Sequence, residues 1–135
     1  MSWTLLSKAV TFALIAYFWV SGMNAMMGLD AKLARIGLAA TTQDGKMAFM
    51  LIYSGLMIGV GLSMCLLWWI SKSTLYSLII AVTIIASFVV FRLIGAVMVD
   101  EFSQVQVKFI VIELIEVLII GCCLAYEARL RQQPQ

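Results

Sequence analysis

Three residues in this chain have types and spacing that could do chemistry. Arg92, Glu113 and Glu116 lie inside runs long and apolar enough to be buried in lipid. Charged side chains at that depth are costly and rare, and they turn toward a protein interior or a water-filled cavity, where they mark a site with a nameable partner. The chemistry open to an arginine and two glutamates is ion pairing and proton transfer.

The partner follows from the elements that carry them. Arg92 lies in the third apolar run and Glu113 in the fourth, at similar distances from the turn at Asp100-Glu101-Phe102-Ser103. Two antiparallel helices joined by a tight turn bring such residues to the same depth. Helical side chains also tilt toward their own N-terminus, so Arg92 leans toward the bilayer centre and Glu113 back toward the turn. The two are expected to meet. Glu116 follows Glu113 on the same helical face, about 4.5 Å deeper. One cation then faces two carboxyl groups in a medium of low dielectric, and one of those groups is expected to keep its proton at neutral pH.

The composition requires such a medium. Of the 135 residues, 64% are hydrophobic and only 12% charged, against about a quarter charged in soluble domains. The expected fold is all-α, an integral membrane bundle of four transmembrane helices running up-down-up-down as a single domain over residues 1–135. The spans are placed at about 9–29, 47–70, 75–99 and 104–126, each near the ~20 residues that cross a ~30 Å hydrocarbon core. The run near the N-terminus superficially resembles a signal peptide, but it exceeds a 7–15-residue signal core and is read as a retained helix.

Between the first two spans, Leu29, Leu33, Ile36 and Ala40 recur at helical spacing with Lys32 and Arg35 between them. A short amphipathic helix in the membrane interface is expected there, over about 30–41. Asp44 is read as an N-cap after which the second span begins, with Asp44-Gly45 breaking the chain. Ser73 or Thr74 caps the third helix, and Ser103-Gln104-Val105-Gln106 has the form of a capping box opening the fourth. Glu127, Arg129, Arg131 and Pro134 belong to a polar tail.

Two further groups are assigned to the membrane interior. Asn24 and Tyr53 are expected to complete a polar network with Arg92, Asn24 through an interhelical hydrogen bond. Gly55, Gly59, Gly61 and Ser63 are small residues spaced to let another helix approach, so their face is expected to be the most tightly packed. Trp68 and Trp69 read as interfacial anchors.

Several function classes are excluded or disfavoured by composition. With no histidine, the chain lacks imidazole for haem or metal and lacks the usual general base. Cys65, Cys122 and Cys123 form no CxxC and read as small packing residues. No cofactor and no metal site is expected, and enzymatic hydrolysis is disfavoured. A net charge of +2 with scattered basic residues does not point to nucleic acid. The partners expected are the lipid bilayer and a homodimer or larger membrane complex.

Lys8, Lys72, Arg129 and Arg131 fall on the side of the termini, and Lys32, Arg35, Lys46 and Lys108 on the other. The basic counts are equal, but Asp30, Asp44, Asp100 and Glu101 all fall on the second side. The termini are therefore expected in the cytoplasm of a cell whose inner membrane the chain spans.

The segments Tyr53-Ser54-Gly55 with Gly59 and Gly61, Arg92-Leu93-Ile94-Gly95, the acidic turn and Glu113 together resemble the DoxX-like small four-helix membrane proteins, namely domain-of-unknown-function family 4345. The resemblance covers most of the chain. It implies a four-helix fold with no assigned reaction, some DoxX-like proteins being associated with membrane oxidoreductase complexes. The family tends to have a second glycine beside the tyrosine and a charged residue shortly before it. This chain has Ser54 there, and the apolar Ala48, Phe49 and Met50.

Three readings follow. The first is a scaffold or accessory subunit held together by Arg92, Glu113 and Glu116. The second is a proton-coupled transporter using the excess carboxyl group, which calls for a dimer along Gly55 and Gly59; small multidrug transporters are a mechanistic analogy, although their glutamate lies in the first helix, where this chain has none. The third is a quinone-binding subunit of a redox complex, with Tyr53 and Arg92 touching the headgroup.

Overall fold

The structure, a computed structural model, describes residues 3–98 and 103–132. Among the described residues all regular structure is helical, in the order α1 (Trp3–Met27), α2 (Leu29–Arg35), α3 (Gln43–Met50), a π-helical segment (Leu51–Leu56), α4 (Met57–Ser71), α5 (Leu75–Met98) and α6 (Gln104–Gln132). Four stretches are long and apolar enough to cross a membrane: Trp3–Met27, Gln43–Ser71, Leu75–Met98 and Gln104–Arg131. The chain is a multi-pass membrane protein.

The third span matches expectation over Leu75–Met98, while the first and fourth helices are longer than the spans expected. α1 starts six residues before Ala9 and takes in Lys8, and α6 runs through Arg129 and Arg131. Charged residues at a helix end do not terminate it, because long basic side chains can snorkel to the interface while the backbone stays hydrogen-bonded. The expected turn at Asp100-Glu101-Phe102 and the tail at Pro134 lie outside the described residues.

The chain divides into two compact units, Met1–Thr11 with Leu67–Gln135, and Phe12–Leu66. In the first unit α5 and α6 form an antiparallel pair. Near the start of α5, the Tyr76 ring lies under the Arg131 guanidinium of the α6 C-terminus, 5.3 Å from its centroid. Toward the other end of α5, Arg92 reaches the first third of α6. Leu78, Ala81, Ile85 and Val89 form the buried stripe of α5, while Glu113, Ile120 and Cys123 are the buried positions of α6. Trp3 stacks on Tyr126 at 5.7 Å, and the hydroxyl-bearing Ser7, Thr11 and Ser77 are also buried. The Thr11 hydroxyl donates to the Ser7 carbonyl one turn back, so its polar group is satisfied within its own helix.

The second unit has its apolar core around Ala25, Leu33 and Phe49, with Leu29, Ile36, Ala40 and Tyr53 packed against it. The amphipathic stripe read from the sequence thus faces protein. Its helix is shorter than expected, ending at Arg35. Gly37 at φ +75° stops it: the Leu38 amide donates to the Leu33 carbonyl and the Gly37 amide to the Ala34 carbonyl, the paired bonds of a glycine C-terminal cap. Thr42, not Asp44, caps α3; its Oγ1 accepts from the Gly45 amide at 3.0 Å. Asp44 and Gly45 consequently form the first helical turn rather than a break, and Asp44 favours that end of the helix dipole.

Packing in this unit runs through two glycines, one of them unexpected. A Cβ on Gly22 would lie 2.7 Å from Ile58 Cγ1 and 3.0 Å from the Ser54 carbonyl oxygen. One on Gly61 would lie 2.6 Å from Trp19 Nε1. Gly59 has open space where a Cβ would stand, and Gly55 meets only Leu51 of its own helix. Ser63 is exposed and donates back to the Gly59 carbonyl. The tightly packed face expected at Gly55, Gly59, Gly61 and Ser63 therefore reduces, within this unit, to Gly61. Gly59, Gly61 and Ser63 all lie in α4, where two residues turn the helix by about 200°, so the side of α4 that Gly61 brings against Trp19 is opposite the one carrying Gly59 and Ser63.

Candidate functional site

The polar site is built on one stripe of α6. Gln106, Phe109 and Glu113 recur at intervals of three and four residues, which places them on one helical face, and all three are buried or half-buried while Val105, Val107, Val111 and Ile112 are exposed. Ser103 starts the helix, its Oγ accepting from the Gln106 amide at 3.4 Å. That is one half of the expected capping box. The other half is not made, because the Gln106 side chain is used elsewhere.

Arg92, half-buried on α5, supplies the cation. Its Nε donates to both Glu113 oxygens, 3.0 Å from each. Its Nη1 donates to Gln106 Oε1. Its guanidinium carbon lies 4.8 Å from the Phe109 ring centroid, within cation–π range. One side chain of α5 is thus held by three of α6. The Glu113 side chain is 10% exposed and that of Arg92 28%, so the carboxylate is the deeper partner.

The Arg92 side chain does not simply lean to the bilayer centre. Gln106 lies two turns nearer the start of α6 than Glu113, roughly 10 Å along the axis, and Nη1 is directed to it. The guanidinium therefore bridges toward the helix ends. This is how a long cationic side chain reduces its depth in lipid.

Glu116 lies one turn beyond Glu113 on the same half-buried stripe. It enters no ion pair among the described residues, where Arg92 pairs with Glu113 and Lys46 with Asp30 at 2.8 Å. The guanidinium is matched by one carboxylate and the second stands apart. Tyr53 and Asn24 belong to the other unit. Tyr53 stacks on Phe49 with ring centroids 4.3 Å apart, as part of the apolar core. Asn24 lies on an exposed face of α1, and among the described residues its side chain makes no hydrogen bond; the expected interhelical bond is not made there. Cys65 is half-buried, Cys122 exposed and Cys123 buried, all as free thiols.

Gln106 and Phe109 are missing from the site as read from the sequence. Stepping back from Glu113 by four and by seven residues reaches both, so the helical period of an intramembrane charge carried the signal. Chemically, the arrangement neutralises Arg92, fixes α5 against α6, and leaves one further carboxyl group within the span.

No family model matches the chain, and no curated protein or solved structure matches it either.

Proposed function

We propose that this chain is an accessory or scaffold subunit of a membrane complex, in which Arg92 and Glu113 act as a clasp between the last two helices. The observation that carries this reading is the bond from Arg92 Nε to both oxygens of Glu113. The cation and its carboxylate are spent on each other, which is what a structural pair requires. The helices cross the bacterial inner membrane up-down-up-down, with both termini in the cytoplasm, where the terminal side carries Lys8, Lys72, Arg129 and Arg131 against Glu127 alone. The segment α2 lies at the opposite interface. On this reading the chain is a DoxX-like protein, by its Tyr53-Ser54-Gly55, Arg92 to Gly95 and Glu113 segments.

Glu116 favours a second reading, proton-coupled transport. A half-buried carboxyl group without an ion pair, inside an apolar span, is the kind of group that proton relays use. A dimer along the open Gly55 and Gly59 face would be needed to enclose a path.

Proton flux separates the two. Purified protein is reconstituted into liposomes loaded with a pH-sensitive dye, and a potassium diffusion potential is applied. A scaffold gives the same slow acidification for wild type, Glu116→Gln and empty liposomes. A flux that wild type supports and Glu116→Gln abolishes would replace the scaffold reading with transport.

A further inference from the structure

The clasp leaves part of the Arg92 guanidinium unused. A guanidinium has five N–H donors. The bonds to Glu113 engage Nε–H, and the bond to Gln106 engages one hydrogen of Nη1. One hydrogen on Nη1 and two on Nη2 remain, and among the described residues none accepts from Nη2. The side chain keeps 28% of its surface exposed, inside the candidate span Leu75–Met98. Arg92 stands six residues before Met98, roughly 9 Å along the axis. Unsatisfied donors at that depth are strongly unfavourable, so they call for an acceptor, and the surrounding bilayer is a source of one.

Charge selects the kind of acceptor. Glu113 already neutralises the guanidinium, so a phosphate on the remaining edge would leave a net negative charge in low dielectric, next to Glu116. A neutral acceptor carries no such penalty. The Phe109 ring covers one face of the guanidinium, which leaves the edge as the place for an incoming oxygen.

We infer that the free edge of the Arg92 guanidinium, beside Phe109, is a binding site for the carbonyl oxygen of an amphiphile dissolved in the bilayer. Two sources carry that chemistry: the glycerol-ester carbonyl of a phospholipid and the ring carbonyl of a prenyl quinone. The inference rests on the pairing of Arg92 with Glu113, which sets the site's neutral charge and orients the edge.

Solid-state NMR on the full chain in bilayers tests it. Substituting Arg35, Arg129 and Arg131 by lysine leaves Arg92 as the single arginine while keeping every charge. With 15N-arginine and side-chain-carboxyl 13C-glutamate, the same sample reads the Glu113 contact as a cross peak from Nε. One sample uses diester phosphatidylcholine labelled with 13C at the ester carbonyls. The other uses diether phosphatidylcholine, which has no ester carbonyl, with a ubiquinone labelled at its ring carbonyls. A cross peak from the Arg92 Nη nitrogens to labelled carbonyl is expected, in the first sample if the source is lipid and in the second if it is quinone. A Glu113 cross peak with no carbonyl contact in either sample, or with contact to water or lipid phosphorus alone, overturns the inference and leaves the clasp intact. Loss of the Glu113 cross peak overturns the clasp itself.

Discussion

Replacing Gly22 by alanine should weaken the second unit, and the amount can be worked from its surroundings. The added methyl would stand 2.7 Å from Ile58 Cγ1, 3.0 Å from the Ser54 carbonyl oxygen and 3.3 Å from the Ile58 amide nitrogen. Carbon atoms pack best about 3.5–4.0 Å apart, and a further gap of ~0.5–1 Å forfeits a quarter to a half of each contact. Ile58 Cγ1 can swing aside, but the Ser54 and Ile58 backbone atoms cannot. α1 must therefore retreat from the segment that follows Leu51, and overpacking of this kind costs about 1–3 kcal/mol. Alanine also favours a helix over glycine by about 1 kcal/mol, which partly masks the loss. Gly59→Ala supplies the reference, since its methyl enters open space and it carries the same helix preference. The difference between the two variants is then the packing term alone, about 1–3 kcal/mol in favour of Gly59→Ala. Thermal unfolding in bicelles, followed by circular dichroism, measures it. Equal midpoints for the two variants would refute the close approach at Gly22.

Other changes test the remaining contacts. Gln106→Leu removes the second acceptor of Arg92 and should cost about 1.5–3 kcal/mol in unfolding free energy, the range for hydrogen bonds to charged groups; an unchanged midpoint would mean that the bond contributes nothing. Thr42→Ala deletes the side-chain acceptor for the Gly45 amide, and hydrogen exchange at the start of α3 should speed up by the equivalent of about 1 kcal/mol while α5 and α6 exchange as before. Lys46→Gln breaks an ion pair whose side chains are 33% and 77% exposed, and stability should move by less than about 1 kcal/mol; a larger, salt-sensitive loss would show that this pair is more shielded than its exposure implies.

The pairing of Arg92 with Glu113 is legible in the sequence because it depends on two robust quantities, the length of each helix to the turn and the tilt of side chains along it. The fourfold pattern of apolar runs is legible for a similar reason, since a bilayer's thickness sets their length. Helix rotation is harder to read. In lipid the outer surface of a helix is as apolar as its buried stripe, so hydrophobic periodicity does not mark the inward face. Gly55 and Gly59 have the right spacing for a close approach, but the face they mark stands open and α1 packs on Gly61 instead. Gly22 had no small partner four residues away to mark it. Gln106 satisfies two patterns at once, a capping box and an i, i+7 partner of Glu113. The second is made by its side chain because a guanidinium in low dielectric gains more from an acceptor than a helix terminus near the interface does. Asn24 shows the converse, a polar residue within the first candidate span that lies on an exposed face. Polarity in a span does not by itself prove burial.

Arg92 and Glu113 hold α5 to α6 through each other. A double-mutant cycle tests it most directly, using Arg92→Leu, Glu113→Leu and the double variant, with unfolding free energies measured in bicelles at neutral pH. Each single variant leaves one charge without its partner and should lose about 3–5 kcal/mol, while the double variant should recover most of that loss. The expected coupling energy is at least about 1.5 kcal/mol, well above the ~0.5 kcal/mol scatter of independent sites. Additive losses, with the double variant as unstable as the two singles combined, would contradict it.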